Sequence, residues 1–173
     1  MITRRNFVKG MVVIGLSGCA GNAFALAKQD RVLNLYNPHT DERLAVQYVS
    51  NGAYDQDAID QINRLLRCHY SNEIKPIDIR AVDLLCDIKD RIGKDEEIHI
   101  ISGYRSPAYN EYLRSIGRGV VHNSLHLQGL AIDFCIPRIS SSKLSSLAKS
   151  FHTGGVGKYP DFVHIDTGRI RYW

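Results

Sequence analysis

No apolar run approaches the roughly 18 residues that a membrane-spanning helix needs, so the 173-residue chain presents no candidate for a permanent span. Its four cysteines, Cys19, Cys68, Cys86 and Cys135, include no Cys-x-x-Cys pair, which argues against a thiolate zinc site. Internal repeats and low-complexity tracts are missing as well, which leaves out solenoids and unstructured tethers. A real excess of positive charge is also lacking. The formal net charge of +4 rests on 22 Lys and Arg against 18 Asp and Glu. The first 25 residues hold Arg4, Arg5 and Lys9 and no acidic residue, so the remainder has 19 basic against 18 acidic residues, a net of +1. A domain so near neutrality lacks the electrostatic footprint that phosphate backbones require, and nucleic acid is not an expected partner. A hydrophobic share of 44% and a charged share of 23% are ordinary for a globular protein, and the length suits one domain rather than two.

What the leader does contain is a positively charged start, Thr3-Arg4-Arg5-Asn6-Phe7-Val8-Lys9, then a short apolar stretch from Gly10 to Leu16, then small residues. That is the three-part pattern of a removable export signal. The Arg-Arg-Asn-Phe-Val-Lys run resembles the twin-arginine signal, which passes folded proteins across the membrane. Ala23-Phe24-Ala25 fits a cleavage site, so residues 1–25 are expected to be the signal, 26–173 the mature domain, and the compartment the periplasm. Leu16-Ser17-Gly18-Cys19 resembles a lipobox and offers the alternative, a lipid anchor at Cys19. Cleavage after Ala25 leaves three cysteines. Cys68 and Cys86, on successive expected helices, can pair in an oxidising compartment or serve as small buried hydrophobes.

Along the mature chain, Val32 to Tyr36 and Leu44 to Val49 read as strands joined by the polar turn Asn37 to Asp41. Asp55 can cap a helix with Ile59, Ile62, Leu65 and Leu66 at helical spacing, and Asp78 a second with Val82, Leu85, Ile88 and Ile92, ended by Gly93. Glu97 to Ile101 is a buried-strand pattern, followed by a helix from Ala108 to about Ile116 and a glycine-containing loop from Gly117 to Asn123. Leu130 to Ile136 reads as a strand, and Ser140 caps a helix with Leu144, Leu147 and Phe151 inward. Gly154 to Gly157 reads as a loop returning to a terminal strand pair, Phe162 to Asp166 and Arg169 to Trp173. This order predicts an α+β fold, a single domain on a mainly antiparallel sheet with helices packed on it.

The chemistry concentrates in Ser124-Leu125-His126-Leu127-Gln128-Gly129-Leu130-Ala131-Ile132-Asp133-Phe134. Alternation puts Leu130, Ile132, Phe134 and Ile136 on one, apolar, face and Ala131, Asp133 and Cys135 on the other. A carboxylate on the inner half of a strand costs several kcal/mol unless it is paired or binds a cation. Gly129 allows the turn that brings His126 to the same point. In Phe162-Val163-His164-Ile165-Asp166, Val163 and Ile165 share one face and Phe162, His164 and Asp166 the other. Two neutral imidazoles and one carboxylate, His126, Asp133 and His164, make a three-ligand set for one Zn2+ with the fourth position left to water.

Ser-x-His-x-x-Gly-x-Ala-x-Asp followed by Phe-Val-His-x-Asp resembles the zinc peptidase superfamily of VanX-type dipeptidases, D-alanyl-D-alanine carboxypeptidases and murein endopeptidases. Within it the chain is similar to the murein endopeptidase K family. The likeness runs through the leader, Ile101-Ser102-Gly103-Tyr104-Arg105-Ser106, the His126 to Asp133 motif, Gly154-Gly155-Val156-Gly157 and Phe162 to Gly168, which is almost the whole chain. The resemblance implies a hedgehog/D-Ala-D-Ala peptidase-like fold with a zinc cleft, zinc ligands at His126, Asp133 and His164, and hydrolysis of peptide cross-links in peptidoglycan. It implies that Arg105 polarises the scissile carbonyl and holds the oxyanion, as an arginine beside a metal is suited to do. For the general base it offers Asp161, three residues before the last ligand, where VanX-type enzymes carry a glutamate. Asp166 is the rival, or else a partner orienting His164. A catalytic histidine that some members carry two residues before the last ligand is replaced by Phe162. His122 and His152 are spare imidazoles, of which His122 lies close to the motif; Tyr159 and Trp173 can border a peptide groove, and His39, His69 and His99 have no metal-like spacing. A carboxypeptidase acting on uncross-linked stems, and a non-catalytic zinc-containing wall-binding domain, are the alternatives.

Overall fold

Helix-capping chemistry sets most of the element boundaries in the computed structural model, which describes residues 30–93 and 95–173. The leader, its cleavage site and Cys19 lie outside the described residues. Asp55, Asp78, Ser106 and Ser140 each accept a backbone N–H in the first turn of α1 (Gln56–Leu65), α2 (Ile79–Ile92), α3 (Pro107–Ser115) and α4 (Ser141–Ser150). Pro107 stands at the first position of α3, where its missing N–H is harmless, so that helix opens one residue earlier than expected. The strands are β1 (Arg31–Asn37), β2 (Glu42–Ser50), β3 (Ala53–Tyr54), β4 (Glu97–Ser102), β5 (Ala131–Cys135), β6 (Gly155–Lys158), β7 (Val163–Asp166) and β8 (Arg171–Tyr172).

They form one eight-stranded sheet in the order β3-β2-β1-β4-β5-β7-β6-β8. The sheet is mixed, not mainly antiparallel, because β1 runs parallel to β4 and β6 parallel to β8. The physical reason for the first is the connection: α1 and α2 lie between β1 and β4 in the chain, and only a crossover of that length returns a strand in the same direction. A second correction concerns the C-terminus. The expected terminal strands do not pair with each other, since β6 lies between β7 and β8 and pairs with both. Its sequence, Gly-Val-Gly-Lys, has no β-branched alternation to announce a strand.

One face of the sheet is apolar from strand to strand. Leu35 sits opposite Ile98, Ile100 opposite Phe134, Phe134 opposite Val163, and Ile132 opposite Ile165, which faces Val156. All of these are buried, and α1, α2 and α4 cover them with Ile62, Leu65, Leu85, Ile88 and Leu144. At about 1.5–3 kcal/mol for each large side chain removed from water, this layer is the main stabilising element. Cys68 and Cys86 are buried in it as free thiols rather than a disulfide. No helix among the described residues is long and apolar enough to cross a membrane.

Candidate metal centre

The opposite face of the same strands carries the polar row. Ser102, Asp133, His164 and Gly157 are successive cross-strand neighbours on β4, β5, β7 and β6. A register shift between Ile100 and Ser102 brings Ser102, rather than Ile101, opposite Asp133. His126 comes from outside the sheet, on a short 3-10 helix Leu125–Gln128 that ends on Gly129 at φ 71°. A Cβ on Gly129 would also stand 2.3 Å from the Pro76 carbonyl oxygen, so both conformation and space demand glycine there.

Three buried side chains converge. His126 Nε2 lies 3.2 Å from Asp133 Oδ2 and 3.2 Å from His164 Nδ1, and His164 Nδ1 lies 2.7 Å from Asp133 Oδ1. The far side of each ring fixes its tautomer. His126 Nδ1 is 2.7 Å from the Gly103 carbonyl, which only accepts, so that nitrogen donates and Nε2 keeps a lone pair. His164 Nε2 donates to Asp166 Oδ2 at 3.1 Å, so its Nδ1 keeps one too. With both rings neutral, two nitrogen lone pairs and a carboxylate aim at one point, an arrangement that can hold a cation. The candidate ligand atoms all lie within 4.8 Å of one another, and the donor set of two imidazoles and one carboxylate is that of an open divalent site. The residues fit a metal.

Electrostatics agree. Burial opposes ionisation of Asp133, yet the His126 and His164 imidazoles hold its carboxyl well below the usual carboxylate range. Burial likewise favours neutral His164, but its bonds to Asp133 and Asp166 push it up to about 9. These shifts describe protons standing where a metal cation would.

Asp166 is fully engaged by donors. Its Oδ1 accepts from the backbone N–H of Gly155 at 3.0 Å, from that of Gly168 at 2.8 Å and from Arg171 Nη1 at 3.2 Å; its Oδ2 accepts from Arg171 Nη2 at 2.7 Å and from His164. Burial resists its charge, but these donors keep its carboxyl below the ordinary range. Asp161 stands at the other extreme. It is exposed, on the loop before β7, with no hydrogen bond or ion pair among the described residues, and it is not among the residues lining the cleft.

Arg105 lies beside the triad, buried, with Nη2 3.6 Å from Asp133 Oδ2. Asn110 Oδ1 and Ser102 Oγ, each at 3.4 Å, hold its two terminal nitrogens, and its Nε has no partner among the described residues. Burial pulls its pKa down while Asp133 holds it up. A cleft of about 530 Å³ opens over His126, Asp133, His164 and Arg105. Its aromatic wall is Tyr159, Phe162 and Trp173. Trp173 Nε1 bonds Tyr159 Oη at 3.2 Å, and the indole covers Gly157, where a Cβ would stand 2.6 Å from the ring. The sequence had offered Tyr159 and Trp173 as groove residues; that Gly157 makes room for the indole had no signal in the spacing.

The spare histidines lie elsewhere. His122 is exposed and bonded to Asn123, and it does not line the cleft. His39 and His69 stack at 4.0 Å, bonded to the Ile101 carbonyl and Tyr109 Oη respectively, and His99 pairs with Glu97. His152 is exposed at a separate cavity.

Likeness to known proteins extends over nearly the whole chain. The family described as "Peptidoglycan L,D-endopeptidase MepK" matches residues 25–173. The chain belongs to that family. It is 37% identical over 174 residues to the peptidoglycan L,D-endopeptidase MepK of Escherichia coli (strain K12), covering 98% of this chain and 96% of that protein. The same figures hold for the protein of that name from Shigella flexneri. The probable peptidoglycan L,D-endopeptidase MepK of Haemophilus influenzae is 32% identical over 169 residues, 95% of this chain and 91% of that one. No solved structure matches the chain at a significant level. Membership in the MepK family makes the chain a member of a peptidase family, and Ser124 to Asp133 and Phe162 to Gly168, on which the resemblance rested, frame its cleft.

Proposed function

We propose that the protein is a zinc-dependent peptidoglycan endopeptidase. It hydrolyses the L,D peptide link between cross-linked stems, such as diaminopimelate to diaminopimelate, in the cell envelope. Export through a twin-arginine leader cleaved after Ala25 would deliver it to the periplasm, where that substrate lies. The observation that carries the reading is the convergence of His126 Nε2, His164 Nδ1 and the Asp133 carboxylate at the floor of an open cleft. A structural zinc site closes with a fourth protein ligand, and no fourth His, Cys, Asp or Glu joins this group among the described residues.

One Zn2+ held by His126, Asp133 and His164 supplies Lewis-acid polarisation of the scissile carbonyl and of an attacking water. The remaining roles fall to the chain. Arg105 has an unspent Nε–H and weakly engaged terminal nitrogens, so it can donate to the oxygen on which negative charge develops. Asp166 is a positioning residue, because every lone pair it has is engaged and His164 stands between it and Asp133. For proton transfer the resemblance offers Asp161, an exposed carboxylate with free lone pairs on the loop before β7, although it does not line the cleft. Asp161→Asn should keep zinc and lower kcat by on the order of a hundredfold; near-normal turnover removes it from the mechanism.

The decisive test is digestion of purified peptidoglycan with zinc and with chelator, products resolved by mass. Zinc-dependent conversion of cross-linked dimers to monomers supports the reading. Loss of only a terminal residue from uncross-linked stems points to a carboxypeptidase, and unchanged peptidoglycan to a wall-binding module.

A further inference from the structure

We propose that Arg118 is the anion subsite of the cleft and holds the free carboxylate that adjoins the scissile amide on its leaving-amine side. The inference rests on the endopeptidase reading and adds to it a determinant of substrate choice.

Three arginines line the cleft: Arg105, Arg118 and Arg171. Two are already answered by the protein. Arg171 is held by both oxygens of Asp166, at 3.2 and 2.7 Å, and Arg105 faces Asp133. The Arg118 guanidinium makes no hydrogen bond or ion pair to any described residue, and Asp133, the one Asp or Glu among the described residues lining the cleft, is a candidate metal ligand. A cation with no internal partner at the mouth of a cleft is suited to an incoming anion.

Its backbone is held in place. At the end of α3, Gly117 (φ 73°) donates to the Arg114 carbonyl at 3.0 Å and Arg118 to the Leu113 carbonyl at 3.0 Å, the paired bonds of a Schellman ending. Further along the loop, the Val121 carbonyl accepts from Asn110 Nδ2 at 3.2 Å. The other end of that amide, Oδ1, accepts from Arg105. One asparagine thus ties the backbone of the Arg118 loop to the arginine beside the metal donors.

The substrate has the matching group. In an L,D link the nitrogen of the scissile amide belongs to a D-centre, and that same carbon carries a carboxylate, free unless amidated. Every such link that is not amidated therefore presents an anion next to the bond to be broken. A guanidinium recognises a carboxylate through two parallel N–H···O bonds, which a lysine cannot reproduce.

The test uses two cross-linked muropeptide dimers, identical except that this carboxylate is free or amidated. Zinc-loaded wild type should show a KM about tenfold lower for the acid than for the amide. In Arg118→Ala the ratio should collapse toward one, with Arg118→Lys between. Binding gives a readout apart from turnover. Trp173, the single tryptophan, lines the same cleft. Its fluorescence should report tighter binding of a diaminopimelate-terminated tripeptide whose D-centre carboxylate is free than of the same tripeptide amidated at that D-centre in wild type, and no such preference in Arg118→Ala. A wild-type preference that survives in Arg118→Ala overturns the inference while the endopeptidase reading stands, as does a wild type indifferent to amidation. If the zinc-loaded wild type cleaves neither dimer, the endopeptidase reading falls and takes this inference with it.

Discussion

Replacing Asp166 by asparagine separates the positioning of His164 from the metal donors themselves. The carboxylate has only acceptors to offer, and its surroundings present only donors: two backbone N–H groups, Arg171 and His164 Nε2. An amide keeps one oxygen and turns the other position into a donor, which then meets a donor whichever way it rotates. If the amide nitrogen faces His164, the ring loses the acceptor that fixes its tautomer, and a proton on Nδ1 competes with the metal. Loss of such an orienting partner lowers metal affinity by about 10–100-fold. If the nitrogen faces Gly155 and Gly168, two buried N–H groups lose their acceptor. In both cases Arg171 loses its charged partner, and because its guanidinium is a third exposed, breaking this pair costs about 1–2 kcal/mol. Zinc competition against a chromophoric chelator, with denaturant unfolding of the same samples, reads both effects. Arg171→Ala is the control, because it removes the cation without touching His164: stability should fall and zinc affinity should hold. Wild-type zinc affinity in Asp166→Asn, or equal loss in Arg171→Ala, would refute the assignment.

The pH dependence has a definite sign. Zinc-free His164 keeps its proton to about 9 when folded and releases it near 6.5 when unfolded. That contribution is complete below about pH 6.5 and is lost as pH rises to about 9, so the zinc-free protein should weaken over this window by a few kcal/mol at most. Zinc affinity should rise over the same window, because proton and metal compete for Nδ1; an affinity flat between those limits contradicts the donor assignment. Arg105→Lys should retain zinc yet lose on the order of 100–1,000-fold in kcat, since lysine keeps the charge but not the forked donors, and unchanged steady-state kinetics would exclude Arg105 from the chemistry. Gly157→Ala puts a Cβ 2.6 Å from the Trp173 indole. Because Trp173 is half-exposed and can swing aside, thermal unfolding should show a loss of about 1 kcal/mol or less together with a shifted tryptophan emission, and an unmoved spectrum would mean that the ring does not rest there.

Local rules made much of the site legible before any fold was known. Strand alternation separated Ile132 and Phe134 from Asp133, and Val163 and Ile165 from His164 and Asp166, and the structure keeps both divisions. Asp55, Asp78 and Ser140 cap the helices expected of them, and Gly129 turns the chain as its place after His126 implied. These are consequences of backbone periodicity and of a few neighbouring residues, so a linear string contains them. Pairing is different. That β1 runs parallel to β4, that Gly-Val-Gly-Lys is a strand between β7 and β8, and that β5 and β7 pair with Asp133 opposite His164 depend on which distant segments bury each other's apolar faces. The same closure aims the Gly103 carbonyl at His126, sets Arg171 on Asp166 and lays Trp173 over Gly157. The sequence by itself determined which side chains could hold a cation, because donor chemistry and alternation belong to single residues and single strands; only the tertiary structure decided that their lone pairs meet at one point, because register is fixed by packing across the whole sheet.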